Sequence, residues 1–404
     1  MKTQPTQLSE RIVSLDVLRG FAILGILVMN IQYFSMISAA YLNPVAYGDF
    51  NGANKWVWML SHIFTDMKFW SIFSMLFGAG IVLFTERLKS KGIKSLAIHY
   101  RRTFWLLLIG LAHAYLLWSG DILVPYSITA LWVVLFRKKK PVNLFIVGIV
   151  FFSIASFLYM FSGFSMPFWP EESKTEILQM WLPDIAHINE ELAAFQGSWS
   201  EQMPKRIETT LMMQTRSFFF MTAWRTAGIM LIGMAFYKWG ILSALKSKSF
   251  YLKLALFTLI PGFVIIIYGM NRNFDAGFSL EYTFFLGSQF NYWGSLLVST
   301  GYIALVMLCM KMDILKTIKK SLQAVGQMAF TNYMLQTIIC TTIFYGHGFG
   351  LFGKIERTSQ ILIVFAVWIF QMIVSPIWMK YFKYGPFEWL WRSLTYWNFQ
   401  SFKR

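Results

Sequence analysis

Apolar residues along this chain fall into ten stretches, roughly 18–38, 68–86, 103–118, 121–136, 143–162, 217–237, 252–270, 289–310, 322–345 and 359–379. Polar residues gather in the gaps. A helix needs about 20 apolar residues to cross the hydrocarbon core of a bilayer, and it satisfies its backbone hydrogen bonds internally. The pattern therefore predicts an all-α fold, a polytopic transmembrane helix bundle of about ten spans. Only Ser119, Gly120 and Asp121 separate the third and fourth stretches, which predicts a tight outer hairpin between two spans of near-minimal length. Pro376 is expected to kink or end the last helix, because its ring clashes with the preceding turn.

One gap is long. Between Gly163 and about Gln214 lie Glu171, Glu172, Glu176, Asp184, Glu190, Glu191, Glu201 and Glu208, against Lys174, Lys205 and Arg206. The spacing of Ile177, Met180, Trp181, Ile185, Ile188 and Leu192 predicts an amphipathic helix on or over one membrane face, serving as connector or lid. The chain then divides into an N-terminal transmembrane bundle (1–162), an extracytoplasmic amphipathic segment (163–216) and a C-terminal transmembrane bundle (217–404).

Charge orients this arrangement. Arg87 to Arg102, Arg137 to Lys140, Lys238 to Lys253 and Lys311 to Lys320 place the basic clusters in alternate gaps. Cytoplasmic loops carry such an excess, so both termini are expected in the cytoplasm and the acidic segment outside. The net charge of +17 then reads as a basic skirt facing anionic lipid headgroups, not as a nucleic-acid surface. Cys309 and Cys340 both lie in apolar stretches and offer neither a disulfide framework nor metal-ligand spacing. The polar segment Met1 to Glu10 precedes a first apolar stretch without a cleavage site, which is expected to remain as a helix.

Ionisable groups inside spans are costly, so each is a candidate functional group. His113 lies near the outer end of the third stretch, and Asp121 in the hairpin can reach it and fix one tautomer. A histidine oriented by a carboxylate suits a general base; the bland alternative is a helix-packing histidine. Arg225 lies too deep in the sixth stretch for a boundary arginine and is expected to face inward. Asp66 and Lys68 open the second stretch on the same side, and Glu281 and Gln289 precede or open the eighth, so these groups could line one outer cavity. On the basic side, Ser14 or Asp16 can cap the first helix while Arg19 reaches a lipid phosphate. Gln327, Thr331 and their polar neighbours can join helices by hydrogen bonds.

Five ordered motifs carry a resemblance. They are Arg11, Ser14, Asp16, Arg19-Gly20 and Asn30; Phe73 and Phe77-Gly78 with Gly80; Gly110, His113, Trp118, Gly120-Asp121 and Tyr126; Gly326-Gln327, Thr331-Asn332-Tyr333 and Gln336; and Gly385-Pro386, Glu388-Trp389 and Trp391-Arg392. Together these resemble the YeiB-like family of bacterial multi-pass membrane proteins, which carry the domain of unknown function 418. The opening motif is also similar to that of the heparan-glucosaminide N-acetyltransferase group and, more remotely, to acyltransferase-3 proteins.

That resemblance implies a transferase in the bacterial cytoplasmic membrane. It would take an acyl group from cytoplasmic acyl-CoA, as co-substrate and without a metal, to an extracytoplasmic sugar or lipid acceptor. The chain departs from the relatives' histidine positions: Asn30 ends the first stretch, residues 39–61 hold no histidine, and His62 is out of register. His113 with Asp121 is then the expected catalytic pair. Arg19, Arg101 and Arg102 would neutralise CoA phosphates, Arg225 or Asn332 would stabilise the oxyanion, and Asp66, Lys68, Glu281 and Gln336 would complete the substrate site. The other reading is a transporter or lipid carrier in which the buried Arg225, His113 and Asp121 coordinate a substrate or proton. The partners implied are membrane lipids and the acceptor, with a homodimer compatible and no nucleic acid.

Overall fold

The computed structural model describes residues 11–312 and 314–404. Among the described residues all named elements are helical, so the all-α expectation holds. In chain order, α1 (Val13–Ser35) leads to a short α2 (Ser38–Leu42), then α3 (Gly52–Phe64) and α4 (Lys68–Ser90). The hairpin of α5 (Ser95–Leu116) and α6 (Leu123–Val133) precedes α7 (Pro141–Ser165). The acidic segment forms α8 (Glu171–Trp181), α9 (Ile185–Gln196) and α10 (Met203–Met212). The rest comprises α11 (Ala223–Lys238), α12 (Lys248–Asp275), α13 (Ser288–Met310), α14 (Lys316–Gln327), α15 (Ala329–Phe344), α16 (Arg357–Tyr381) and α17 (Pro386–Tyr396).

Among the described residues, seven helical bodies are long and apolar enough to cross a membrane: 13–35, 52–90, 141–168, 203–238, 248–275, 280–310 and 357–381. The other three expected spans take different forms. α5 carries Arg101 and Arg102 within its 22 residues, α6 has 11 residues, and the stretch 322–345 is broken at Met328 into α14 and α15. That break has an identifiable cause. Glu388 of α17 accepts hydrogen bonds from the Phe330 and Thr331 amides at 2.7 and 3.2 Å, which supplies partners for the orphan donors of a new helix start.

The long segment also differs from one continuous amphipathic helix. Leu182 and Pro183 separate α8 from α9; Ile177, Trp181 and Phe195 are buried while Ile185 is exposed.

The packing leaves long apolar helix faces uncovered. α1 is enclosed, with 83% of its most apolar stretch buried, whereas the corresponding stretches of α7, α12 and α16 are only 28%, 28% and 22% buried. Phe157, Phe161, Phe257, Val264, Leu362 and Ile369 therefore point outward. Apolar faces of that extent suit hydrocarbon, giving the architecture of a multi-pass membrane protein. Inside, glycines let backbones meet: a Cβ on Gly78 would collide with the Met230 carbonyl, and one on Gly233 with that of Met75, so α4 and α11 pack in direct backbone contact.

The connections collect at two opposite ends. At the basic end Ser14 Oγ donates to Leu242 O at 3.0 Å, Lys238 Nζ to Lys139 O at 2.9 Å and Trp391 Nε1 to Arg102 O at 2.8 Å. At the acidic end Trp181 Nε1 donates to Phe278 O at 2.8 Å, and Arg357 holds Pro44 O and Asp49 O at 3.0 and 3.1 Å. Ser38 Oγ donates to Glu191 Oε1 at 2.7 Å, and burial raises the Glu191 carboxyl above its ordinary range despite that bond.

Candidate functional site

A cavity of about 250 Å³ runs inward from the basic end between α1, α4, α5, α6, α15 and α17. Arg11, Arg19, Arg102 and Arg392 lie at its outer part, with Asp16 and Glu388 as the carboxylates among its lining residues. Arg19 is held by Asp16 at 2.8 Å and reaches Gly326 O at 3.4 Å. The Arg102 guanidinium stacks on Trp391 at 4.3 Å and on Phe84 at 4.7 Å, which fixes the plane of its donors. Deeper in, Phe73, Leu76, Phe77, Leu106 and Phe330 make the walls apolar, and Tyr126 and Tyr333 close the inner end with Ile122. The chamber thus combines a cationic mouth with an aromatic interior.

His113 and Asp121 lie immediately behind that inner wall. Nδ1 of His113 is 2.8 Å from Asp121 Oδ1, and Nε2 is 3.0 Å from Thr337 Oγ1. The second Asp121 oxygen accepts the Val124 amide at 2.7 Å, capping α6, and the Ile122 amide donates to the Tyr333 hydroxyl at 3.3 Å. A carboxylate against Nδ1 places the proton there and turns the Nε2 lone pair towards Thr337. Both side chains are almost fully enclosed, at 0% and 1% exposure.

The sequence suggested an opening on the outer side for this pair. Instead the hairpin is covered at the acidic end: Trp199 Nε1 and Arg206 both donate to Leu116 O, and Thr210 to Ala114 O. The acidic segment is therefore a cover over the hairpin as well as a connector.

A second polar cluster forms around Arg225. Its guanidinium stacks on Trp70 at 4.0 Å and lies 5.2 Å from the Tyr292 ring. Asp66 accepts from Asn291 Nδ2 at 2.7 Å and sits 3.1 Å from His62 Nδ1; Lys68 Nζ donates to Asn291 Oδ1 at 2.7 Å and His62 O at 2.6 Å. The α3–α4 break positions these groups, with Met67 in the left-handed region at φ 64°. Tyr126 stands between the two regions: it lines the cavity, and its hydroxyl contacts Ser74 Oγ at 2.7 Å and donates to Trp70 O at 3.3 Å.

Other expected site residues go elsewhere. Glu281 is exposed and does not join Arg225, because the segment carrying it is wound so that Leu280 and Thr283 turn inward. Asn332 Nδ2 donates to Val325 O and Ser375 Oγ, both at 3.1 Å, while Gln336 Nε2 donates to Ile23 O and Gln371 Oε1 at 3.1 and 3.0 Å. These two side chains tie α1, α15 and α16 together and lie outside the cavity lining. Arg101 also lies outside it, over the Trp397 ring at 5.2 Å.

Sequence reasoning missed Arg11, Arg392, His99 and the paired tyrosines as cavity residues. The motif holding Glu388 and Arg392 was visible, but its junction with Thr331 depends on tertiary contact.

The family described as protein of unknown function DUF418 matches residues 236–398. Over 414 aligned positions the chain is 32% identical to the uncharacterised protein YxaH of Bacillus subtilis (strain 168), covering 98% of this chain and 97% of that protein. It is 31% identical to the uncharacterised protein YeiB of Escherichia coli (strain K12), covering 96% of each. A third relative, from Bacillus acidopullulyticus, is 28% identical over 97% of this chain.

Proposed function

The chain belongs to the YeiB-like DUF418 family, and from that premise we propose that it is a cytoplasmic-membrane acyltransferase fed by acyl-CoA from the basic end. In this reading the basic end is cytoplasmic, both termini lie there and the acidic segment is outside, following the positive-inside rule. α5, α6 and α15 then complete about ten membrane-crossing segments. The observation that carries the proposal is the cavity: arginines at the mouth and an apolar interior fit a polyanionic head with a narrow, less polar arm.

CoA phosphates would lie against Arg19 and Arg102, joined by Arg11 and Arg392. The thioester would reach Tyr126 and Tyr333. Nε2 of His113 would take the proton of an acceptor hydroxyl as its oxygen bonds to the acyl carbon. The carbon–sulfur bond then breaks, and the CoA thiolate receives the proton from the imidazolium. Asp121 holds the tautomer that makes this transfer possible. Access requires Tyr333 to swing from Ile122, because it stands between the cavity and the pair.

Binding of acetyl-CoA to the purified protein in nanodiscs tests the proposal. The wild type is expected to bind saturably, Arg102→Met to bind roughly tenfold less tightly, and His113→Ala to bind normally without releasing CoA thiol in the presence of acceptor lipids. Absence of saturable acetyl-CoA binding by the folded wild type overturns it. A carrier reading has one observation in its favour, the enclosed Arg225 cluster beside irregular helices. It predicts substrate movement without thiol release.

A further inference from the structure

Arg225 is buried to 1% exposure, yet its Nε and Nη2 atoms have no hydrogen-bond partner among the described residues. A guanidinium left in that state forfeits hydration without replacement, which is strongly unfavourable. Its ring stacking fixes the guanidinium plane but leaves the in-plane donors on Nε and Nη2 unused. Charge is also unbalanced. Lys68 is fully buried within electrostatic reach of Arg225, while the carboxylate of the cluster, Asp66, is already engaged by His62 and Asn291.

The backbone supplies an independent observation. The chain adopts wide π-helical winding over Met213–Thr222, immediately before Arg225, and again over Leu280–Gly287, just before Asn291 and Tyr292. With the left-handed Met67 between Asp66 and Lys68, three departures from regular helix flank the same cluster. Such irregularities give up regular hydrogen bonding or store strain, and they concentrate where a ligand is bound.

We propose that the Arg225 cluster is a binding site for a monoanionic group, a carboxylate or phosphate, taken by the in-plane donors of Arg225 beside Lys68. The site is separate from the cavity at the basic end, from which Tyr126 and Trp70 divide it. It stands whether the protein transfers acyl groups or carries a substrate. In the first case it selects an acceptor bearing an acidic group.

The chemistry has two possible sources, a soluble acid or an acidic lipid headgroup, and the test separates them. Wild type, Arg225→Lys, Arg225→Met and Arg272→Met would be placed in phosphatidylcholine nanodiscs, and melting followed while acetate or inorganic phosphate is titrated against a chloride control. A parallel series would raise the phosphatidylglycerol content without added acid, with retained lipid read by native mass spectrometry. Saturable stabilisation of the wild type by a soluble anion identifies a soluble ligand; stabilisation and retention with phosphatidylglycerol alone identify a lipid. In either case Arg225→Lys should bind roughly tenfold more weakly, Arg225→Met should lose the response, and Arg272→Met, at an exposed arginine outside both sites, should keep it. Arg225→Lys preserves the charge and provides the comparison if the Met variant does not fold. An unresponsive wild type overturns the proposal, as does a response unchanged in Arg225→Lys. Loss of acetyl-CoA binding with the anion response intact would instead remove only the acyltransfer reading.

Discussion

Glu388 illustrates how one side chain reshapes a span. It is 8% exposed, its two oxygens take the Phe330 and Thr331 amides and the Thr331 hydroxyl, and it starts α15 where the hydropathy pattern runs straight through. Burial raises its carboxyl above the ordinary range, with those hydrogen bonds offsetting part of the effect. Glu388→Ala should cost about 1–2 kcal/mol, the usual worth of a lost helix cap, measurable by thermal or denaturant unfolding in detergent. The raised value also fixes a sign. The folded state binds the Glu388 proton more readily than the unfolded state, so this group's contribution to stability falls as pH rises through the window just above the ordinary carboxyl range. The stability of wild type relative to Glu388→Gln should therefore increase as pH is lowered through that window; a constant difference would exclude this role. His113 poses the companion residue question. Thr337→Val removes the hydroxyl against Nε2 and should leave the 2.8 Å pair with Asp121 in place, which a structure of that variant would check.

At the scale of elements, the contact between α4 and α11 brings Trp70 and Arg225 together. Gly78 and Gly233 permit that contact, since each faces a backbone carbonyl of the opposite helix. A carbonyl in a packed helix cannot yield as a flexible side chain does. Gly78→Ala should therefore separate the helices and destabilise the protein by about 1–3 kcal/mol, the range for overpacking. Its effect should include a loosened Arg225 cluster, seen as greater quenching of tryptophan fluorescence by acrylamide. Gly80→Ala is the control on the same helix, because a Cβ there meets nothing within 4 Å. Equal melting temperatures for the two variants would show that the close approach carries no stability.

For the whole molecule, the separation of basic from acidic connections predicts orientation. Ser90 ends α4 at the basic end, and Ser198 lies in the exposed acidic segment. In intact cells an impermeant maleimide should label Ser198→Cys from outside and spare Ser90→Cys until the membrane is opened, because basic connections stay in the cytoplasm. The reverse pattern would invert the assignment and with it the side proposed for acyl-CoA entry.

The sequence by itself determined the helical class, the lipid-facing character and the alternation of charge, because these follow from residue type and period alone. It also made the His113–Asp121 pairing legible, since eight residues and a tight turn leave the two side chains within reach. Tertiary structure decided the rest. Glu388 and Thr331 are 57 residues apart, and Arg225 and Trp70 lie on different helices, so their meetings depend on packing that no local pattern encodes. Asn332 and Gln336 look like ligands in a row of polar positions, yet their amides serve neighbouring helices, as buried polar groups without water must. Arginines that charge alone would place against headgroups form a cavity mouth because α1, α5 and α17 fold their ends together. Period and charge act along the chain; a site is a property of which faces meet.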